Sequence, residues 1–181
     1  MISGTSLFSP VNGTYIAAPL AEIGKLSGFS VVVLDDRPSF ANAERFPGAE
    51  IVVEPIPGWL HSAQLPPSAY VVVVTRGHQH DLEAMRALAA RDLKYLGLIG
   101  SRAKIARIYD ALLSEGMPSE CLERVHSPIG LEIGAVTPAE IAISILAELI
   151  AIRRGVDMGG ISMKKGLTKA HDSRPVNESP P

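Results

Sequence analysis

The stretch YVVVVTRGH, residues 70–78, predicts a strand that is buried on both faces and ends in a polar loop. Its apolar residues follow one another without the polar alternation of a half-exposed strand, which is typical of central strands in a parallel sheet. A second run, SVVVLDDR at residues 30–37, has the same form. Two such strands, with helical patterns between them, predict a parallel sheet covered by helices.

Helical patterns lie around these strands. Apolar residues recur at spacings of three and four from Ile16 to Leu26, which places them on one helical face. Further helices are predicted at residues 81–90 and 103–115, and a last one begins at residues 137–140 (TPAE), where a capping Thr precedes Pro and Glu. The remaining predicted elements are strands at 51–53, 95–99 and 125–126, a short helical piece at 42–46 and a turn at 119–122.

These elements predict an α/β fold of the Rossmann-like, doubly wound kind, with a mainly parallel sheet and helices on both faces. We expect one domain at residues 1–155, in which residues 1–15 form a degenerate first strand and loop. Residues 156–181 lose apolar periodicity and are rich in Gly, Ser, Lys and Pro, so we expect a flexible C-terminal tail.

Composition and charge exclude several function classes. The chain has 17 basic and 19 acidic residues, a net charge of -2, and no basic patch of the kind that binds nucleic acid or an anionic membrane. Its longest apolar stretch, residues 141–152, contains Glu148 and falls short of the ~20 residues of a membrane span. A single cysteine, Cys121, excludes an internal disulfide, and the first residues lack the pattern of a signal peptide. We therefore expect a cytoplasmic protein that binds neither nucleic acid nor membrane.

Candidate ligand-binding residues follow the predicted strands, because ligands of open parallel sheets bind beyond the carboxyl ends of the strands. Asp35, Asp36 and Arg37 end the strand at residues 30–34. Nucleotide-binding folds place at this point the carboxylate that accepts hydrogen bonds from ribose hydroxyls. We therefore expect these three residues to contact a ligand.

The loop after the central strand has no apolar side chain, which favours ligand binding over packing. We expect Arg76, Gly77 and His78 to line the binding crevice. His78 and His80 form an H-x-H pair, which lacks the third protein ligand that zinc chemistry needs. Asp81 is interpreted as the N-cap of the following helix.

Two glycine-bearing loops precede predicted helices. Gly100, Ser101 and Arg102 lie where backbone N–H groups and the helix dipole favour an anion, and they are the best phosphate-site candidates. The loop at residues 127–135 offers a second backbone cradle at Gly130. Together the two loops predict a ligand with more than one anionic or hydrogen-bonding group, such as a pyranopterin phosphate or a dinucleotide.

Four sequence motifs follow one another along residues 16–155. They are VVVLDDRPSFANAERFP at 31–47, VVVVTRGHQHD at 71–81, YLGLIGSRAK at 95–104 and SPIGLEIGAVTPAEIAISILAELIAIRRG at 127–155. In these motifs the chain resembles the C-terminal Rossmann domain of the XdhC/CoxI family. The resemblance implies an accessory protein, not an enzyme, that binds the molybdenum cofactor, supports its sulfuration and delivers it to xanthine dehydrogenase or a related molybdenum hydroxylase. It also implies a sulfurtransferase as a further partner, and a homodimer.

The chain departs from the family pattern at two points. The glycine-rich turn that follows the family's first strand is here SPVNGTY at residues 9–15, which keeps only Gly13 as a candidate for the phosphate cradle. Family members also carry a separate N-terminal domain with a cysteine that handles the cofactor, which we expect to be missing here, and Cys121 is expected to be a small buried residue.

Two other functions stay open. One is an NAD(P)-dependent oxidoreductase, since Asp35 or Asp36 could hold a ribose, although the G-x-G-x-x-G pattern is absent. The other is a degenerate remnant that binds no ligand.

Overall fold

The computed structural model of the protein describes residues 5–10, 14–75 and 77–163. Within these ranges it contains five strands and six helices. In chain order they are β1 (Thr5–Pro10), α1 (Thr14–Leu26), β2 (Ser30–Asp35), β3 (Glu50–Val53), α2 (Ile56–Ser62), β4 (Tyr70–Val74), α3 (His78–Leu88), β5 (Tyr95–Leu98), α4 (Arg102–Ser114), α5 (Ser119–Glu123) and α6 (Pro138–Arg154).

The five strands form one sheet in the order β3-β2-β1-β4-β5, and every neighbouring pair is parallel. The chain builds outward from β1 to β3 on one side and then crosses back to add β4 and β5 on the other. The switch point therefore lies between β1 and β4, where Pro10 pairs with Val74. This arrangement confirms the predicted doubly wound α/β fold.

Side chains of the sheet alternate between two hydrophobic cores. Val71 and Val73 of β4 pack on one face with residues of α2, α3 and α4. Val72 and Val74 pack on the other face with residues of α1 and α6. All five residues of β4 are buried, which confirms that this apolar run is covered on both faces.

The start of α6 is fixed by the residues that the sequence indicated. Thr137 Oγ1 accepts a hydrogen bond from the backbone N–H of Glu140, and the Glu140 carboxylate accepts one from the N–H of Thr137. Gly155 ends the helix in the left-handed conformation, at φ 67°. Local hydrogen bonding therefore determines both ends of this helix.

Several predicted elements differ in the structure. Residues 42–46 form turns instead of a helical piece, although Asn42 Oδ1 accepts a hydrogen bond from the N–H of Arg45 at 3.0 Å, as the N-cap of a helix does. The predicted turn at 119–122 is the short helix α5. The predicted strand at 125–126 is reduced to one bridge between His126 and Gly97. The first strand, β1, is expected to be degenerate but has six residues and pairs with a strand on each side.

Part of the expected C-terminal tail is paired with the domain. Ser162 forms an antiparallel bridge with Leu131, and the N–H of Glu132 donates to the carbonyl of Ile161 at 2.7 Å. Residues 161–163, within the tail that the sequence predicts to be flexible, are therefore hydrogen-bonded to the loop at residues 127–135. Residues 164–181 lie outside the described part of the chain.

None of the helices among the described residues is long and apolar enough to span a membrane.

Candidate functional site

The candidate residues lie along one edge of the sheet, because the carboxyl ends of parallel strands meet there. Asp35 ends β2, Thr75 follows β4 and Ile99 follows β5. Since β1 and β4 lie between β2 and β5, the ends of β2 and β5 are three strand spacings apart, or about 14 Å. A ligand that contacts both ends must be extended.

At the end of β2, the carboxylate of Asp35 forms an ion pair with Arg37. The buried Asp35 accepts hydrogen bonds from Arg37 Nε at 3.0 Å, Nη2 at 3.2 Å and the backbone N–H at 2.8 Å. The Asp36 side chain is 34% exposed. Asp36 therefore lies at the surface, with its Oδ1 3.8 Å from Arg37 Nε, whereas the buried Asp35 orients Arg37.

An aromatic ring supports the same loop. The guanidinium of Arg37 lies 3.6 Å from the ring centroid of Phe40, and that of Arg45 lies 5.0 Å from it. Cation–π contacts of this kind orient guanidinium groups without neutralising them. The loop thus presents the Asp36 carboxylate near one edge of the sheet, beside an Arg37 guanidinium that Asp35 and Phe40 hold in place.

The loop after β4 leads directly into α3. Gly77 is the N-cap of α3 in an extended conformation, at φ 171° and ψ 166°, which other residues also adopt. Gly77 is therefore not required there for its backbone freedom. Arg76 lies outside the described residues, as does Gly13, and so does the side chain of His78; their predicted contacts with a ligand stay predictions.

The interpretation of Asp81 as a helix N-cap is wrong. Because Gly77 is the N-cap and α3 begins at His78, Asp81 is the fourth residue of the helix, in its first turn, and it is fully buried. Its carboxylate accepts a hydrogen bond from Thr75 Oγ1 at 2.6 Å and forms an ion pair with Lys104 of α4. Asp81 therefore connects the loop after β4 with the first turn of α4.

The sequence contained a signal for this role of Asp81. Residues three, four and seven positions further along α3 are Ala84, Met85 and Leu88, all buried. A carboxylate on the same face as these residues must be buried with them, and a buried carboxylate needs a partner.

The turn from β5 into α4 is the candidate anion site. Ser101 is the N-cap of α4, and its Oγ accepts a hydrogen bond from the backbone N–H of Lys104 at 3.3 Å, which leaves the hydroxyl hydrogen for donation. Arg102 is the first helical residue, and Ser101 and Arg102 are both exposed. The positive end of a 13-residue helix thus meets an exposed guanidinium at the carboxyl edge of the sheet.

Gly130 has an internal role that the sequence did not indicate. Its backbone N–H, predicted to face a ligand, donates to Glu148 Oε2 at 2.5 Å inside the protein. Its φ is +104°, and an added Cβ would lie 2.5 Å from Ser144 Oγ. Both facts explain why this position is occupied by a glycine. The N–H of Gly130 is therefore hydrogen-bonded inside the protein and does not form part of an anion cradle.

Glu148 organises this part of the protein. The fully buried carboxylate also accepts hydrogen bonds from Tyr95 Oη at 2.9 Å and Ser162 Oγ at 3.2 Å, and it contacts His126 Nδ1 at 2.9 Å. Burial acts to raise the pKa of Glu148, but the hydrogen bonds from His126 and Gly130 outweigh it, so this pKa lies below its ordinary value. Burial raises the pKa of Tyr95 well above its ordinary value, and the charge of Glu148 adds to this rise.

A cavity of about 350 Å³ lies beside the β5–α4 turn. The loop at residues 127–135 and the beginning of α6 form its other walls. Its lining is mostly apolar and includes Ile99, Gly100, Ile129, Leu131, Ile141 and Met163. The cavity places apolar surface next to the candidate anion site.

The described residues contain no group of three His, Cys, Asp or Glu side chains that could hold a metal ion. Cys121, expected to be buried, is half-buried, and its thiol is free.

Comparisons with known proteins agree with this architecture. The family model described as the XdhC Rossmann domain matches residues 11–149. A protein from Bacillus subtilis (strain 168), described as a probable xanthine dehydrogenase subunit, is 37% identical over 139 residues, which are 76% of this chain and 40% of that protein. The uncharacterized protein YqeB from Escherichia coli (strain K12) is 30% identical over 163 residues, or 89% of this chain and 30% of that protein.

A crystal structure of a xanthine dehydrogenase from Bacillus halodurans has a TM-score of 0.73 and 31% sequence identity, and the match covers 87% of this chain and 45% of that one. The chain thus spans less than half the length of each of these three proteins. On the family match and the identities together, the chain belongs to the XdhC Rossmann domain family.

Proposed function

We propose that this domain binds the molybdenum cofactor as cargo and supports its sulfuration and insertion into xanthine dehydrogenase or a related molybdenum hydroxylase. In this role it is a maturation factor, not an enzyme. Membership of the XdhC family and the xanthine dehydrogenase names of two matched proteins support the connection with that enzyme.

The observation that carries the proposal is the β5–α4 turn. Molybdopterin is a pyranopterin with a phosphate group, and the N-terminus of α4 offers backbone N–H groups, the Ser101 hydroxyl and the exposed Arg102 guanidinium at one point. Charge-assisted hydrogen bonds of this kind favour a phosphate over an uncharged group.

The surroundings of the turn fit the rest of such a ligand. The adjoining cavity offers apolar surface to a ring system. Along the same edge, Asp36 presents a half-exposed carboxylate that accepts hydrogen bonds from amino or hydroxyl groups. A dinucleotide form of the cofactor is long enough to reach that carboxylate, about 14 Å from the turn.

The proposal includes partners. The molybdenum hydroxylase receives the cofactor, a sulfurtransferase supplies sulfur, and a second copy of the chain forms a homodimer. All of these would act in the cytoplasm.

The first experiment measures dissociation constants of the purified chain for the molybdenum cofactor and, in parallel, for NAD(H) and NADP(H). The test variant is Ser101→Ala/Arg102→Ala, and the matched control is Arg107→Ala, an exposed arginine further along α4. The test variant loses a neutral hydrogen bond from Ser101 and a charge-assisted one from Arg102, which should weaken cofactor binding at least about tenfold. The control should bind like the parent chain.

Each outcome favours a different function. Cofactor binding that the test variant loses supports the proposal, and transfer of the bound cofactor to the apo form of a molybdenum hydroxylase would extend it. Binding of NAD(H) or NADP(H) without cofactor binding favours the oxidoreductase. Binding of neither favours a remnant that binds no ligand.

A further inference from the structure

Asp81 lies in an unusual position for a carboxylate. It is fully buried on α3, and the described residues provide it with two partners, the Thr75 hydroxyl at 2.6 Å and the Lys104 ammonium. Thr75 directly follows β4, next to the switch point of the sheet. The carboxylate therefore fixes an ammonium group at the edge where ligands of this fold bind.

The β5–α4 turn is shaped around the side chain of Lys104. A Cβ added at Gly100 would lie 3.1 Å from Lys104 Cδ and 3.7 Å from Cε, so the glycine leaves room for the lysine stem to pass toward Asp81. Ser101 Oγ accepts a hydrogen bond from the backbone N–H of the same lysine. Gly100 and Ser101, two of the residues predicted to bind phosphate directly, thus also position Lys104.

The ammonium of Lys104 keeps capacity to bind a ligand. It carries three N–H donors, and Asp81 is its one hydrogen-bonding or ionic partner among the described residues. The side chain is 26% exposed. Because Asp81 already holds the flexible side chain in place, an anion that binds there loses less conformational entropy than it would at a mobile surface lysine.

We infer that Lys104 is an anion-binding residue of the crevice, positioned by Asp81, and that it takes a phosphate or pyrophosphate group of the ligand. The inference rests on the proposed function for the identity of the ligand, but it concerns how this site recognises charge. Arg102 would then bind the anion from the exposed side of the turn, and Lys104 would bind it from the inner side.

The test uses two ligands, so that failure of the inference and failure of the proposed function can be told apart. Affinity is measured for the molybdenum cofactor directly and for inorganic pyrophosphate through the rise in unfolding temperature that it causes. The variants are Lys104→Met, which keeps the length of the side chain without its charge, and Asp81→Asn, which keeps the lysine but removes its anchor. Arg107→Met is the control, because it removes an exposed cation elsewhere on α4.

We expect Lys104→Met to weaken binding of both ligands about tenfold, the effect of one charged hydrogen bond, and to reduce the salt dependence of binding. Asp81→Asn should weaken binding less and leave the salt dependence intact, because the ammonium is still present. The Arg107→Met control should bind like the parent chain. A purely structural lysine would lower stability while leaving the affinity of the folded fraction and its salt dependence unchanged, and that result would overturn the inference.

Lys104→Met leaves the buried Asp81 unpaired, and this variant would be uninformative if it did not fold. A second variant avoids that problem. The double variant Asp81→Asn/Lys104→Met removes both charges, so no unpaired carboxylate is left. If it binds pyrophosphate within about twofold of the parent chain, against the tenfold loss expected for a missing charged hydrogen bond, the inference is wrong. If the parent chain binds pyrophosphate but not the molybdenum cofactor, the proposed function fails and the inference about Lys104 is still tested.

Discussion

Asp81 of α3 and Glu148 of α6 are both fully buried carboxylates on helix faces that pack against the sheet, yet their surroundings differ. Glu148 accepts hydrogen bonds from Tyr95, Gly130 and Ser162 and contacts His126. Its partners therefore lie in the interior of the domain. Asp81 instead binds an ammonium group at the carboxyl edge of the sheet.

The difference separates a structural carboxylate from one that serves a binding site. Oxygens surrounded by internal donors hold segments together, here the loop at residues 127–135 and residue 162. A carboxylate paired with a partly exposed cation holds that cation where a ligand can reach it. Burial alone therefore does not reveal what a carboxylate does; the exposure of its partners does.

The largest effect is expected for Glu148→Gln. The amide nitrogen would face hydrogen-bond donors, leaving buried donors unsatisfied, so the unfolding free energy should fall by about 3 kcal/mol. Urea denaturation measures this loss, with Glu123→Gln, an exposed glutamate on α5, as control. The folded fraction should keep the pyrophosphate affinity of the parent chain. A loss below about 1 kcal/mol would remove the structural role assigned to Glu148.

Gly130→Ala should come next. Gly130 and Gly134 both have positive φ, at +104° and +72°, but an added Cβ contacts Ser144 Oγ at 2.5 Å in the first case and meets nothing within 4 Å in the second. Overpacking should make Gly130→Ala less stable than Gly134→Ala by about 2 kcal/mol. Equal unfolding free energies for the two variants would show that the loop does not pack tightly against α6.

The smallest effect is the pH dependence of the Glu148 cluster. Because the pKa of Glu148 lies below its ordinary value of 4.5, its ionisation stabilises the folded state above pH 4.5, and this contribution is lost as the pH falls through the lowered pKa. Protonated Glu148 resembles Gln, so the stability difference between the parent chain and Glu148→Gln should shrink in acid.

That difference is the quantity to measure, by urea denaturation at a series of pH values from neutral downward. The exposed Glu115 and Glu140 also have lowered pKa values, but they are present in both proteins and their effects cancel. A difference that stays constant through pH 4.5 and below would contradict the lowered pKa of Glu148.

The sequence predicted the fold well, since periodicity and capping carry this information locally. The runs at β2 and β4 indicated strands buried on both faces, and Thr137 and Gly155 marked the ends of α6. The sequence also indicated that the loops after β2, β4 and β5 would meet at one edge, because parallel strands require it.

The roles of individual residues in those loops were less predictable. The sequence pattern starts α3 at residue 81, three residues late, which makes Asp81 look like a cap. A glycine-bearing loop before a helix looks like a backbone cradle for a ligand, but the N–H of Gly130 bonds to Glu148. Helix boundaries shift easily by a few residues, whereas hydrogen-bond partners depend on segments far apart in the chain.

By itself, the sequence determined the doubly wound sheet, the edge at which its polar loops meet and the family to which the chain belongs. Only the tertiary structure decided that Asp35 holds Arg37, that Asp81 holds Lys104 and that Glu148 holds the loop around Gly130. The physical reason is that a buried carboxylate must find donors, and those donors come from whichever elements the fold brings beside it.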